Sequence, residues 1–181
     1  TIAEISVDHP QRKEEGVRDP TVSAAGLTKN IVGQHCNIAI LDDIVVPANA
    51  YTNEGRQQVA AVYSQLASVE TTGSQEWVVG TRYHPKDLYD TLMTLEEDIY
   101  DDEGTQGARR YVYETMQEVV ETDGIFVWPR ESRADGRKFG FDWTELSRKK
   151  AKYVDIEQFF AQYYNNPNSL ETERISRSRF Q

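Results

Sequence analysis

Two apolar runs, each stopped abruptly by chemistry-bearing residues, constrain this chain more than any other feature. Residues 37–43 read Asn-Ile-Ala-Ile-Leu-Asp-Asp, and residues 77–82 read Trp-Val-Val-Gly-Thr-Arg. A buried parallel strand is written as a continuous apolar run, and open α/β sheets place their chemistry just beyond the carboxyl ends of such strands. Between the runs, Val59, Val62, Tyr63, Leu66 and Val69 recur at helical spacing, over roughly 53–70. Strand, helix and strand make a βαβ unit with a right-handed crossover. The spacing therefore predicts an α/β fold. Acid at one strand end and hydroxyl at the other predict a nucleotide-phosphate site.

The flanking sequence adds elements around this unit. Residues 1–20 are polar and read as a loop, with Gln11-Arg12-Lys13-Glu14-Glu15 a solvated run. Residues 21–27 alternate weakly and, with Ile31-Val32-Gly33, predict a short strand pair. Thr71-Thr72-Gly73-Ser74 reads as a turn ending the first helix, before a strand over 76–81. Pro85 is placed to open a second helix, whose one face carries Leu88, Leu92, Leu95 and Ile99. The acidic cluster of Glu96, Glu97, Asp98, Asp101, Asp102 and Glu103 reads as its solvated end. Two strands are expected over 110–120 and 125–129, with a turn at Asp123-Gly124, followed by a charged loop over 130–140. Asp142 with Glu145, and Asp155 with Gln158, fit N-caps with a partner three residues on. They predict two closing helices, the second carrying Phe159, Phe160, Tyr163 and Tyr164 and breaking at Asn165-Asn166-Pro167. Residues 168–181, with Arg174, Arg177 and Arg179, read as a linker.

Composition bounds the function. A chain of 181 residues suffices for one domain, which at this size buries roughly 70% of its extended surface. With 30 acidic against 20 basic residues and a net charge of -10, the chain is opposed to wrapping nucleic acid by itself. DNA contact is expected to be local or supplied by another domain. Cys36 is the single cysteine, which excludes an internal disulfide, fits a reducing compartment and reads as a small core residue. No apolar stretch approaches the roughly 20 residues of a membrane span, and no signal peptide opens the chain. A soluble, intracellular protein is expected. Thr1 in place of methionine predicts that the chain starts inside a longer protein.

Three blocks carry a resemblance: residues 30–43, residues 79–89 (Val-Gly-Thr-Arg-Tyr-His-Pro-Lys-Asp-Leu-Tyr), and residues 159–167 (Phe-Phe-Ala-Gln-Tyr-Tyr-Asn-Asn-Pro). In this order they closely resemble the large terminase subunit of tailed bacteriophages, most of all that of the short-tailed, T7-like phages. The resemblance runs from about Asp19 to Pro167. It implies a P-loop NTPase-like (ASCE-type) parallel-sheet sandwich, here partial, with helices on both faces. Residues 1–167 would be the C-terminal part of an ATPase domain, and 168–181 a linker towards a nuclease domain that the chain lacks.

The resemblance also implies roles. Asp42 would be the Walker B acid that holds a magnesium ion through water, and Asp43 would stand in the place of the catalytic carboxylate, where many relatives have glutamate. Thr81 would be the coupling residue that senses the phosphates of ATP. Arg82 would pair with nearby acids or reach the nucleotide of a neighbouring subunit. Relatives commonly carry arginine just after the glycine at position 33; Gln34 and His35 stand here, so that duty would pass to Arg18 or Arg56. His35 and His84 read as structural. The implied partners are double-stranded DNA, a portal protein, a small terminase subunit and sister subunits in a ring, in the host cytoplasm.

A P-loop needs Gly-Lys-Ser/Thr so that backbone amides and a lysine cradle the phosphates, and this chain contains no Gly-Lys dipeptide. The sequence thus predicts half of a nucleotide site, inactive as an isolated ATPase and poorly soluble. The rival expectation is a non-catalytic assembly module on the same fold. A nuclease using Asp42 and Asp43 directly is disfavoured, since two-metal cleavage needs several converging acids.

Overall fold

The computed structural model describes residues 2–27 and 35–167. Among the described residues ten short strands and six helices follow one another: β1 (Ile2–Ile5), α1 (Pro10–Glu14), β2 (Val22–Ala25), β3 (Cys36–Asp42), α2 (Pro47–Ala50), α3 (Asn53–Leu66), β4 (Glu70–Val79), α4 (Leu88–Leu92), β5 (Glu96–Tyr100), β6 (Gln106–Tyr111), β7 (Glu121–Thr122), β8 (Ile125–Phe126), β9 (Glu131–Ser132), β10 (Lys138–Phe139), α5 (Trp143–Lys150) and α6 (Ile156–Tyr164). They divide into two compact units, one of residues 1–44 and 52–80, the other of 45–51 and 81–181.

The first unit contains the predicted βαβ element. β3 and β4 pair in parallel, with Ile40 opposite Trp77, Leu41 opposite Val78 and Asp42 opposite Val79. Thr52 opens α3 by accepting the Gly55 amide at 3.0 Å, and the helix turns Val59 inward while Val62, Tyr63 and Leu66 are half-buried. The strand face carrying Ala39 and Leu41 is buried. The opposite face is not: Ile38, Ile40, Trp77 and Val79 are 50–63% exposed. β1 and β2 add an antiparallel pair.

Several expectations change here. The expected parallel sheet is present as one pair of strands, and the other four sheets among the described residues are antiparallel pairs. The turn expected at 71–74 lies inside β4: the register passes from Cys36 opposite Glu70 to Ile38 opposite Gln75, so residues 71–74 bulge against Asn37 alone. Gly73, at φ 79, supplies the left-handed backbone that such a bulge needs. Residues 2–5 and 10–14 are ordered as β1 and α1, where a loop was expected, and β2 pairs with β1. The strand expected at 31–33, residue Gln34 and the 168–181 linker lie outside the described residues.

In the second unit the long helix expected after Pro85 stops at Leu92, and the acidic run beyond it is strand, not helix end. Cross-strand charge decides this. Asp98 meets Arg109 at 2.8 Å, Glu97 meets Arg110 at 2.5 Å, and Asp101 closes the turn by accepting the Glu103 and Thr105 amides. The strand expected over 110–120 ends at Tyr111. Asp123 and Gly124, both at positive φ (52 and 84), form the predicted turn between β7 and β8. The loop expected over 130–140 holds the β9–β10 hairpin.

Both closing helices start as predicted. Asp142 accepts the Glu145 amide at 2.7 Å, while Asp155 accepts the Glu157 amide and the Gln158 side chain. Their aromatic residues make the core of this unit, with Val120, Leu146 and Phe159 buried and Phe126, Phe141, Tyr153, Phe160 and Tyr163 packed around them. Phe159 stacks against Tyr163 with ring centroids 4.9 Å apart. α6 ends where Asn165 takes the left-handed conformation, φ 49.

Candidate functional site

β3 delivers the two carboxylates. Alternation along the strand buries Ala39 and Leu41 and leaves Asp42 on the solvent side. The ladder then gains one further bond, from the Asp43 amide to the Val79 carbonyl at 3.0 Å. At Asp43 the backbone leaves the pleat at φ 47, a conformation that aspartate tolerates better than most residues. This turn takes the Asp43 side chain out of the two-residue alternation. Both acids are exposed, and among the described residues no ion pair reaches either.

An exposed pair of this kind matches a magnesium ion in its donor chemistry. Magnesium commonly takes one or two protein carboxylates and fills its remaining positions with water and substrate phosphates. Among the described residues no three His, Cys, Asp or Glu side chains converge as a metal cage. Cys36, at the start of β3, is half-buried; burial, then the charges of Glu70 and Glu76, push its thiol pKa up.

Thr81 and Arg82 belong to the second unit. Thr81 is half-buried. The Arg82 side chain is only 13% exposed, and its guanidinium is occupied: Nε donates to Asp87 at 3.3 Å, while Nη2 donates to Asp90 at 3.0 Å and to the Pro85 carbonyl at 3.1 Å. Of the two alternatives anticipated for Arg82, the pairing with nearby acids is present in the structure.

Sequence reasoning missed the residue at the centre of this arrangement. Asp87 is 1% exposed and caps α4 by accepting the Asp90 amide; its second oxygen accepts the amides of Tyr83 and His84 at 3.1 and 3.2 Å. A buried carboxylate requires such a set of donors. The available signal was an aspartate just before Leu88, where an N-cap belongs; the expectation that Pro85 opens the helix concealed it. The Arg82 amide reaches Asn165 Oδ1 at 2.8 Å, and the Tyr83 hydroxyl reaches Gln162 Oε1 at 3.0 Å. The second and third sequence blocks are thus joined by hydrogen bonds inside one unit.

His84 Nδ1 accepts the Lys86 amide, and His35 lies 3.5 Å from Asp19 with both side chains exposed. Arg56 is half-buried in the first turn of α3, and no helix among the described residues is long and apolar enough to cross a membrane. No protein-family model matches the chain, and no curated protein matches it.

Proposed function

We propose that this chain is part of the ATPase of a viral DNA-packaging motor, the large terminase subunit, which drives double-stranded DNA into a procapsid. The observation that carries the proposal is the parallel pairing of β3 with β4. Asp42 stands opposite Val79, so the acid pair and the strand leading into Gly80-Thr81-Arg82 end at one level. That is the edge of an α/β sheet at which phosphate chemistry is done. The exposed apolar face of Ile38, Ile40, Trp77 and Val79 also supports it, since parallel strands are ordinarily covered on both faces. In the intact motor the rest of a P-loop NTPase-like sheet and its helices would lie there.

Magnesium bound with ATP would neutralise charge on the phosphates during transfer. Asp42 would hold that ion through water, and Asp43 would orient the attacking water and accept its proton. Thr81 would sense the phosphates. Arg82 enters as the residue that fixes this segment to α4. The portal protein, a small terminase subunit, sister subunits of a ring and DNA would be the partners, in the host cytoplasm.

The test is ATP turnover by the parent protein. Asp42→Asn and Asp43→Asn should each lower it by about a hundredfold or more. Unchanged turnover in both would refute the assignment and favour a non-catalytic assembly module.

A further inference from the structure

We infer that Gln162 of α6 and Asn165, the residue that caps its C-terminus, are positioning residues for the segment that begins at Thr81, so that residues 81–87 and α6 move as one piece. This deepens the proposed function and rests on it for what such a movement accomplishes.

Every contact concerned lies within one unit. Two hydrogen bonds, from the Arg82 amide to Asn165 and from the Tyr83 hydroxyl to Gln162, hold the segment against the C-terminal end of α6. Asn165 presents its carboxamide from a left-handed backbone, which asparagine adopts at little cost. On the other side, Asp87 gathers the amides of Tyr83, His84 and Asp90 and the guanidinium of Arg82. A loop of seven residues with this many fixed points has little freedom to absorb a displacement at Thr81. It passes the displacement on, because energetic coupling travels through contiguous packed and hydrogen-bonded groups. α6 is anchored in turn: Phe159 is buried in the aromatic core, and the Tyr163 carbonyl accepts the Val120 amide at 2.7 Å. Movement at Thr81 would therefore arrive at the core around Val120, Leu146 and Phe159.

Asn165→Gly retains a left-handed backbone and deletes the acceptor, whereas Asn165→Asp restores an acceptor there. In the 181-residue chain, hydrogen exchange at the Arg82 amide should accelerate about tenfold in Asn165→Gly, the effect of losing one ordinary hydrogen bond, and return in Asn165→Asp. Exchange within β3 should not change, which distinguishes a local release from misfolding. Unaltered Arg82 exchange in Asn165→Gly overturns the link. In the parent motor, Asn165→Gly should lower the DNA moved per ATP hydrolysed about tenfold while leaving KM for ATP unchanged, and Asn165→Asp should rescue it. Equal falls in ATP turnover and DNA movement overturn the coupling role. A wild-type parent that hydrolyses no ATP would sink the motor reading, yet the exchange measurement still decides whether α6 holds the segment.

Discussion

Asp42 with Asp43 and Asp87 with Arg82 are both acid sites beside a strand or helix end, and they use their charge in opposite ways. The β3 pair stands in solvent, and among the described residues no ion pair reaches it. Asp87 is sealed from solvent and surrounded by donors, with Arg82 and three backbone amides on its two oxygens. An exposed carboxylate that stabilises nothing in the fold is available for a ligand, while a buried one with every lone pair engaged is available only to the fold. The same residue type thus marks a candidate site in one unit and a structural hub in the other.

The largest expected effect breaks or upholds that contrast directly. Asp87→Ala would leave the nearly buried Arg82 charge with only the half-exposed Asp90 carboxylate as an acid partner, and three amides would lose their acceptor. Removing one partner of a buried pair costs about 3–5 kcal/mol. Urea denaturation of Asp87→Ala beside Asp42→Ala measures both, and Asp42→Ala should stay within about 0.5 kcal/mol of the parent chain. Comparable losses from the two substitutions would abolish the distinction.

What the sequence disclosed and what it withheld follow from the same physics. The βαβ unit was legible because Ile38 to Leu41, Val59 to Leu66 and Trp77 to Val79 carry their periods over enough residues to outweigh local noise. The caps at Asp142 and Asp155 were legible because an N-cap is a local device. The β5–β6 hairpin was not. Its cross-strand pairs, Asp98 with Arg109 and Glu97 with Arg110, join residues 11 and 13 apart, and the leucine spacing before it imitates a helix. The bulge at 71–74 was misread because Thr-Gly-Ser chemistry signals left-handed backbone, whether the chain there turns back or only kinks. Of the candidate site, the acids could be found from a strand end. Gln162 and Asn165 could not, since their contacts reach across 79 and 83 residues, whereas the partners of Asp87 lie within five residues and its N-cap position was there to be read.

A smaller effect separates backbone from side chain at Asp43. Its φ of 47 lies in the left-handed region, which costs a β-branched residue about 1–2 kcal/mol. Asp43→Val should lose about that much in denaturation, whereas Asp43→Asn, equally tolerant of the conformation, should lose none. If the two behave alike, the turn at the end of β3 is not held at this residue. Asp43→Asn would then serve as the variant that removes a charge from the site without touching the fold.

The smallest effect comes from Glu145, a carboxylate between the two extremes. Its side chain is half-buried at the start of α5 and accepts three hydrogen bonds from the Arg148 guanidinium, at 2.7–3.1 Å. Those bonds hold its carboxyl below the usual range, and the charges of Arg148, Arg130 and Lys149 add to them while desolvation opposes. A carboxyl with a lowered folded pKa contributes stability that is fully present above its unfolded pKa and is lost as pH falls through the folded one. The contribution of Glu145 should accordingly be complete at pH 7, begin to decline below about 4.3, and vanish in stronger acid. Because the partner guanidinium is 61% exposed, the effect should be slight and should shrink further in 1 M salt. Melting Glu145→Gln alongside the parent chain across this range gives the check: the gap between them should close as the acid strengthens, and a gap that widens would show that Glu145 is held by something other than its arginine.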